Sequence, residues 1–323
     1  MAARRWRHTS LGPDELSLLS TLAMSGSCPL CSGGVLSTWD FGLVRCAGCG
    51  LVLATEVWRP AANELLNAEF FDDEHEPASS FWIRLFERVN NRRTLRRLLD
   101  AGKTAHGTLL EVGVGTGSLL TAALSHGYRP YGCDISAAVC SRIIRTTGIS
   151  MYCGQLQSFP GNDLFDVIVM NHVLEHVADP VALLNAARRR LKSGGLLHLA
   201  VPNVGSWEAR YACWNCYEPY HQLYFTPDTL EVAAQKAGFD ILSVATHESF
   251  SSWFLALVRT LRGQRLSHRA WLAVHQRKRT SPGIEALYRI TMIVARVLTL
   301  PLRRLQEALG RGSEVILLCR QPS

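Results

Sequence analysis

The 323-residue chain lacks any run of about 18 uncharged apolar residues, which argues against a membrane-spanning helix. Its first residues, MAARRWRHTS, are basic, yet no apolar signal-peptide core follows them. The expectation is a cytoplasmic protein with a mostly disordered basic tail over 1–24. No internal repeat or low-complexity tract is visible. Charge is modest at 19%, against 47% hydrophobic residues, an ordinary balance for a folded soluble protein. Acids are scarcest in residues 250–311. That segment holds 12 Lys/Arg, from Arg259 to Arg311, and only Glu285 and Glu307, a net +10. The whole chain carries +7, so the remainder sums to −3 and any acidic partner should be sought at this segment.

What the chain does have begins with ten cysteines, which in a cytosolic protein argue for metal or inert thiols rather than disulfides. Residues 28–49 read CPLCSGGVLSTWDFGLVRCAGC. Two C-x-x-C knuckles, Cys28/Cys31 and Cys46/Cys49, are separated by 14 residues, with small residues after each and a short hairpin expected between them. Four thiolates make a closed, structural zinc site, because no position is left open for a substrate. A third pair, Cys213 and Cys216, has no partner pair nearby in sequence and reads as ordinary thiols.

Residues 60–105 look helical, with Ser79-Ser80 as a possible cap, an apolar stripe from Phe81 to Leu99, and Gly102 as the stop. From Thr108 the pattern changes to alternating strand and helix. Strand signals fall at 109–114, 128–134, 149–153, 165–171, 196–201, 239–246 and 314–320. Asp179-Pro180 marks a helix start, an Asp cap with Pro in the first turn. Such alternation predicts a parallel sheet with helices on both faces. The last two strands are separated by a helical insertion, 249–312. There Arg289, Arg296 and Arg303, seven apart, share a face, and Val297, Leu298 and Leu302 supply apolar surface elsewhere.

The stretch LLEVGVGTGSLL, residues 109–120, is the clearest ligand signal. Its spacing is Glu111-x-Gly113-x-Gly115-x-Gly117, without the sixth-place glycine of the dinucleotide fingerprint G-x-G-x-x-G. Glycines let a ligand approach the backbone, and the following helix N-terminus favours negative charge. Asp134 ends the second strand 21 residues after Gly113, where an acid can accept hydrogen bonds from a ribose diol. The ligand expected is one with a ribose, a nearby anionic group and little bulk over the glycines.

EVGVGTG, then CDIS, then FDVIVMNHVLEHVADP resembles the class I S-adenosylmethionine-dependent methyltransferases, in the branch that includes the ubiquinone-type O-methyltransferases. The likeness covers about 105–247 and 314–320. A shorter one covers CPLC, CAGCGLVLAT and Phe70-Phe71-Asp72-Asp73, since many members carry an N-terminal ribbon. The resemblance implies that S-adenosyl-L-methionine is the cofactor. It implies that Glu111, Gly113, Gly115 and Gly117 hold its methionine part, that Asp134 binds the ribose, and that Ile135 lies against the adenine. Gln155 and Leu156 fall where adenine contacts follow the third strand; the family often has Asp there, and Gln can still accept from the exocyclic amine. Asn171 and His172 end the fourth strand beside the methyl group.

Methyl transfer needs in-line attack on the sulfonium carbon and often a base within reach of the acceptor's proton. His172 lies at a strand end in the crevice. His176 is expected to begin a helix and to bond locally. His221 falls on the family's P-x-H-x-x-x-F-T-x-x-x-L segment, which borders the acceptor pocket, and is the preferred base or acceptor-orienting residue. Tyr217, Tyr220 and Tyr224 make that segment aromatic.

The expected fold is α/β: a Rossmann-like, seven-stranded, doubly wound sheet with helices on both faces. Its parts are the tail (1–24), zinc ribbon (25–58), helical linker (59–105), methyltransferase core (106–248), basic helical insertion (249–312) and last core strand (313–323). The leading function is O-methylation of a small-molecule, sugar or lipid-linked glycan acceptor. An RNA methyltransferase would use the ribbon and basic segment on phosphates. Against nucleic acid, Asn171-His172-Val173 is not the Asn-Pro-Pro-aromatic motif of base amino-methylation. A non-catalytic scaffold is the third reading, and the intact glycine loop argues against it. The basic insertion reads as a solvated face, as an amphipathic helix lying peripherally on an anionic membrane, or as a cover for an acidic acceptor.

Overall fold

A computed structural model describes residues 27–34, 36–39, 43–54, 81–102, 107–210, 214, 216–217, 220–249, 253 and 293–322. The tail at 1–24, the 70–73 segment, Cys213 and most of the insertion, Arg289 included, lie outside the described residues.

Seven strands form one sheet: β4 (Thr108–Val112), β5 (Arg129–Asp134), β6 (Met151–Cys153), β7 (Phe165–Asn171), β8 (Leu191–Pro202), β10 (Asp240–His247) and β11 (Glu314–Arg320). Their spatial order is β10-β11-β8-β7-β4-β5-β6. All seven strand signals of the sequence fall on these elements. The fold is the Rossmann-like doubly wound α/β sheet, with one departure from the expected parallel arrangement. β11 is antiparallel to both β8 and β10. The register explains it: His247, the last residue of β10, faces Glu314, the first of β11. The insertion therefore leaves and rejoins the sheet at the same end, and the returning strand can only run backwards.

Strand side chains alternate between two cores, as the period of two requires. Leu109, Val167, Val169 and Leu196 pack beneath α1 (Phe81–Asp100), α2 (Ser118–Ser125) and α3 (Ala137–Thr147). Leu110, Ile168, Met170 and Leu197 pack beneath α4 (Pro180–Arg190) and α5 (Pro227–Lys236). Gly102, at φ +85°, closes α1 as expected. The Asp179 carboxylate accepts from the Ala182 N–H, 2.8 Å, and starts α4. His176 departs from expectation: it ends a short 3₁₀ turn, Leu174–His176, and no α-helix begins there.

A second sheet forms from β1 (Leu36–Trp39), β2 (Leu43–Cys46) and β3 (Val52–Ala54), joined by β9 (Leu223–Tyr224). The first two make the hairpin expected between the cysteine knuckles. The fourth strand comes from the segment after β8. Ala54 N–H donates to the Gln222 carbonyl at 2.9 Å, so the cysteine ribbon and the segment that carries His221 share a sheet.

α6 (Leu300–Ala308) precedes β11 and packs on β10. The sequence placed Arg303 on a basic outer face. Arg303 is instead only 6% exposed, while Leu298, Leu302 and Leu305 are exposed. A helical period fixes which residues share a face but not which face packs inward.

Candidate active site

The cysteine knuckles are built alike. In each, the carbonyl of the first cysteine accepts from the amide four residues on, Ser32 N–H to Cys28 at 2.8 Å and Gly50 N–H to Cys46 at 2.9 Å. In each, that later residue is left-handed, Ser32 at φ +59° and Gly50 at φ +82°. Tight turns of this kind bring both sulfurs of a pair to one side. The Sγ atoms of Cys28, Cys31, Cys46 and Cys49 all lie within 4.8 Å of one another. Cys28 and Cys49 are 3.6 Å apart, Cys31 and Cys46 3.4 Å. A zinc tetrahedron with bonds of about 2.3 Å has sulfur–sulfur edges of about 3.8 Å, so the four donors fit that ion. Gly33 N–H points at Cys31 Sγ, 3.4 Å, an amide that would stabilise a thiolate. Among the remaining thiols, Cys133, Cys140 and Cys319 are buried, whereas Cys153 is exposed.

The order of the strands reverses between β4 and β7, and ligands of open α/β sheets bind beyond the strand ends at that point. The candidate cofactor loop leaves β4 there. Gly113, Gly115 and Gly117 all adopt left-handed φ, +75°, +53° and +79°. A Cβ at Gly113 would stand 2.5 Å from Val173 Cγ2, and one at Gly117 2.3 Å from Ile143 Cδ1. Nothing lies within 4 Å of such an atom at Gly115, so its bareness faces open space. Asp134 is buried beside the loop. Its Oδ2 accepts from Val114 N–H, 2.8 Å, and its Oδ1 from Ser136 N–H, 2.9 Å. Each oxygen keeps a lone pair for a ribose hydroxyl. Ile135, next along, is 57% exposed, an apolar surface suited to a base. Gln155 is exposed and caps a short turn, while Leu156 is buried in the core. Glu111 is buried, and its Oε2 has no partner among the described residues. Burial and then Asp134 push its carboxyl well above the usual range. A cationic amine brought nearby would find an acceptor waiting there.

At the end of β7, Asn171 Oδ1 is buried with no partner among the described residues. His172 follows at φ +55°, a left-handed conformation uncommon for a residue with a Cβ. Its Nε2 is 3.0 Å from Glu314 and its Nδ1 3.3 Å from Glu175. Desolvation works against the charge, but the two carboxylates outweigh it and raise His172 from 6.5 to about 10. The ring is thus an imidazolium at neutral pH, held by both nitrogens. A raised pKa stabilises the folded state fully below pH 6.5, and that stabilisation fades as pH climbs through about 10. The expected outcome is a thermal-melting gap between wild type and His172→Asn that is constant below pH 6 and shrinks between roughly pH 7 and 10. A gap independent of pH over that range would show the ion pairs to be idle.

Glu175 is 1% exposed. Burial raises its pKa, yet His172, His176 and His221 around it bring it down to about 2. His221 Nδ1 is 2.8 Å from the Cys216 carbonyl and His176 Nδ1 3.3 Å from that of Tyr220. A carbonyl can only accept, so each Nδ1 carries a proton. Burial, then the neighbouring His176, lowers His221 to about 3, so its imidazole is neutral. The two rings stand edge to face with centroids 4.8 Å apart, and Tyr220 and Tyr224 pack on His221 at 5.3 and 6.1 Å. Ligating atoms of Glu175, His176 and His221 lie within 4.8 Å of one another, a set that could also hold a divalent cation.

Several participants carried no sequence signal that was used. Glu314 reaches His172 from β11. Gln222 N–H donates to the Glu175 carbonyl, 2.8 Å, and its Nε2 to the His176 carbonyl, 2.8 Å, tying β9 to that turn. Thr116 Oγ1 donates to Glu87, 2.8 Å, and Asn91 Nδ2 to Ser118, 3.0 Å, so α1 braces the glycine loop. Glu175 itself falls inside the stretch FDVIVMNHVLEHVADP.

This geometry can be set beside known proteins. Ubiquinone biosynthesis O-methyltransferase of Cereibacter sphaeroides is 37% identical over 87 residues, 24% of this chain and 34% of that protein. The enzyme of the same name from Pseudomonas paraeruginosa is 32% identical over 112 residues, 32% of this chain and 46% of that one. The chain thus spans between a third and a half of the length of these curated relatives. Among solved structures, an S-adenosylmethionine-dependent methyltransferase of Thermotoga maritima shares 19% identity, covers 82% of this chain and 100% of its own, and has a TM-score of 0.48. The [4+2]-cyclase SpnF shares 20% identity, with coverages of 83% and 95% and a TM-score of 0.49. Residues 81–244, just over half of the chain, match the family model of a methyltransferase domain. The chain therefore belongs to this methyltransferase-domain family.

Proposed function

We propose that the protein is an S-adenosylmethionine-dependent O-methyltransferase acting on a small-molecule, sugar or lipid-linked glycan hydroxyl. The observation that carries the reading is the contact of Val173 with Gly113. It seats the turn bearing Glu175 and His176 directly on the glycine loop, so the neutral His221 and the ionised Glu175 border the place where the donor would lie. The donor, when bound, supplies an electrophilic methyl on a sulfonium.

In this reading Gly115 leaves room for the donor's methionine part, Glu111 meets its amine, Asp134 accepts from its ribose and Ile135 backs its base. Gln155 and Leu156 border that base, and Asn171 stands beside the methyl. The acceptor's hydroxyl gives its proton to His221 Nε2 as its oxygen attacks the methyl carbon. The donor would give up its methyl and be left as a neutral thioether, so the acceptor's proton ends on His221. Glu175 steadies the imidazolium so formed, and Nδ1–H stays on the Cys216 carbonyl to hold the ring. His172, already charged, serves as an orienting cation rather than as a base. Cys28, Cys31, Cys46 and Cys49 would hold a structural zinc, which makes 25–58 a ribbon, joined by 59–105 to a core of 106–248 and 313–323.

The test is methyl incorporation from labelled donor into hydroxyl acceptors. His221→Ala should lower kcat by about 10²–10⁴-fold while S-adenosylhomocysteine affinity holds. Wild-type turnover in that variant removes the base assignment. A wild type that binds S-adenosylhomocysteine yet methylates only nitrogen or carbon acceptors removes O-transfer.

A further inference from the structure

α6 is packed inside out. A helix on a soluble domain ordinarily turns its apolar side chains inward and its charges to water. Here Gln306 is 0% exposed and Arg303 6%. The Arg303 guanidinium donates to the Glu248 carbonyl, 3.3 Å, and the Arg296 carbonyl, 2.9 Å. Gln306 Nε2 faces both Glu208 oxygens, 3.0 and 2.9 Å, and Glu248, 3.1 Å. The leucines point the other way: Leu298 is 75% exposed, Leu305 52% and Leu309 57%. Of the 14 exposed large apolar residues among those described, eight fall between Ile293 and Leu309. Scattered exposed leucines need no explanation, but a contiguous stripe marks a surface meant for another medium.

The charge around the stripe says which medium. Between Ile293 and Arg311 stand three exposed arginines, Arg296, Arg304 and Arg311, and one acid, Glu307. That acid is turned to His247, 2.6 Å, and Arg304, 3.1 Å. The segment from 250 to 311 carries a net +10. Aliphatic side chains flanked by arginines match a bilayer interface, where acyl chains take the leucines and anionic headgroups take the guanidiniums. We infer that the 293–309 face docks on an anionic lipid bilayer.

The helix is also latched to the loop that follows β8. Arg311 donates to the Gly205 carbonyl, 2.9 Å, Asn203 Nδ2 to that of Gly312, 2.7 Å, and Gln306 to Glu208. Docking would thus bring the loop leading to His221 close to the membrane. The inference does not depend on methyl transfer, because binding to lipid is measured without it.

The experiment is co-sedimentation of the full chain with phosphatidylcholine–phosphatidylglycerol vesicles and with phosphatidylcholine alone, at low and high salt. Wild type should favour the anionic vesicles, with binding that weakens as salt rises. Leu298→Glu/Leu305→Glu should lose about tenfold or more of that binding, with an unchanged melting temperature and S-adenosylhomocysteine affinity. Absence of binding to anionic vesicles at low salt overturns the inference. So does a double variant that binds as well as wild type, since the stripe would then be uninvolved. A double variant that instead breaks a dimer, with vesicle binding intact, assigns the stripe to a second copy of the chain.

Discussion

Asp134→Ala should weaken S-adenosylhomocysteine binding by about 10²–10⁴-fold. Two hydrogen bonds from ribose hydroxyls to a buried carboxylate are worth about 1.5–3 kcal/mol each, and about 1.4 kcal/mol is a factor of ten. A second loss comes with it. The same carboxylate satisfies Val114 N–H in the glycine loop and Ser136 N–H at the start of α3. Truncation leaves both amides searching for partners, so the glycine loop also loosens. Asp134→Asn separates the two effects. Its carbonyl oxygen can still accept from one backbone amide and one hydroxyl, so it should bind more tightly than the alanine variant and melt closer to wild type. Calorimetric titration with parallel melts decides the matter. Wild-type affinity in a folded Asp134→Ala protein would remove Asp134 from the donor site, and with it the reading of the crevice.

The second large effect concerns the cysteine cluster. One zinc per chain is expected in metal analysis, and Cys46→Ser should reduce it to a small fraction. Structural zinc in four-ligand peptides contributes about 10–16 kcal/mol of apparent binding energy, and much of that is folding energy. The ribbon's own strands are short: β1 and β2 are four residues each and β3 is three. Chelation should therefore unfold the ribbon rather than merely demetallate it. Limited proteolysis would report this as new cleavage between residues 27 and 54, with the seven-stranded sheet retained. Protein purified under reducing conditions without zinc, and with the same melting temperature in wild type and Cys46→Ser, would end the zinc reading.

How much of this was legible beforehand depended on sequence distance. The glycine loop, Asp134, the seven strands and the two knuckles were readable because each is a local pattern: glycines within one turn, an acid at a strand end, cysteines three apart. Glu314 was not readable as the partner of His172, because 142 residues separate them and only the antiparallel return of β11 brings them together. Nor was the left-handed His172, since nothing in a histidine announces positive φ. The parallel sheet was predicted from alternation alone, and the insertion broke that alternation where the prediction failed. Arg303 was placed outward because charged residues ordinarily face water. The Glu248 and Arg296 carbonyls hold it inward, and Glu248, 55 residues away, lies outside the window in which periodicity is read.

Gln222 has a consequence beyond bracing. Its carbonyl holds the edge of β3, and its amides hold the turn that bears Glu175 and His176. Leu223 and Tyr224, which follow it, pair in register with Leu53 and Val52. Side chains on a strand alternate, so sliding that pairing by one place would exchange the directions of Leu223 and Tyr224. Leu223 would then take the place of Tyr224 in the wall beside His221. The cysteine hairpin thus acts as a template that sets the alignment of the wall beside His221. It is not an appendage that could be traded for another domain, because a graft that preserved every core residue but altered β3 would present a different pocket.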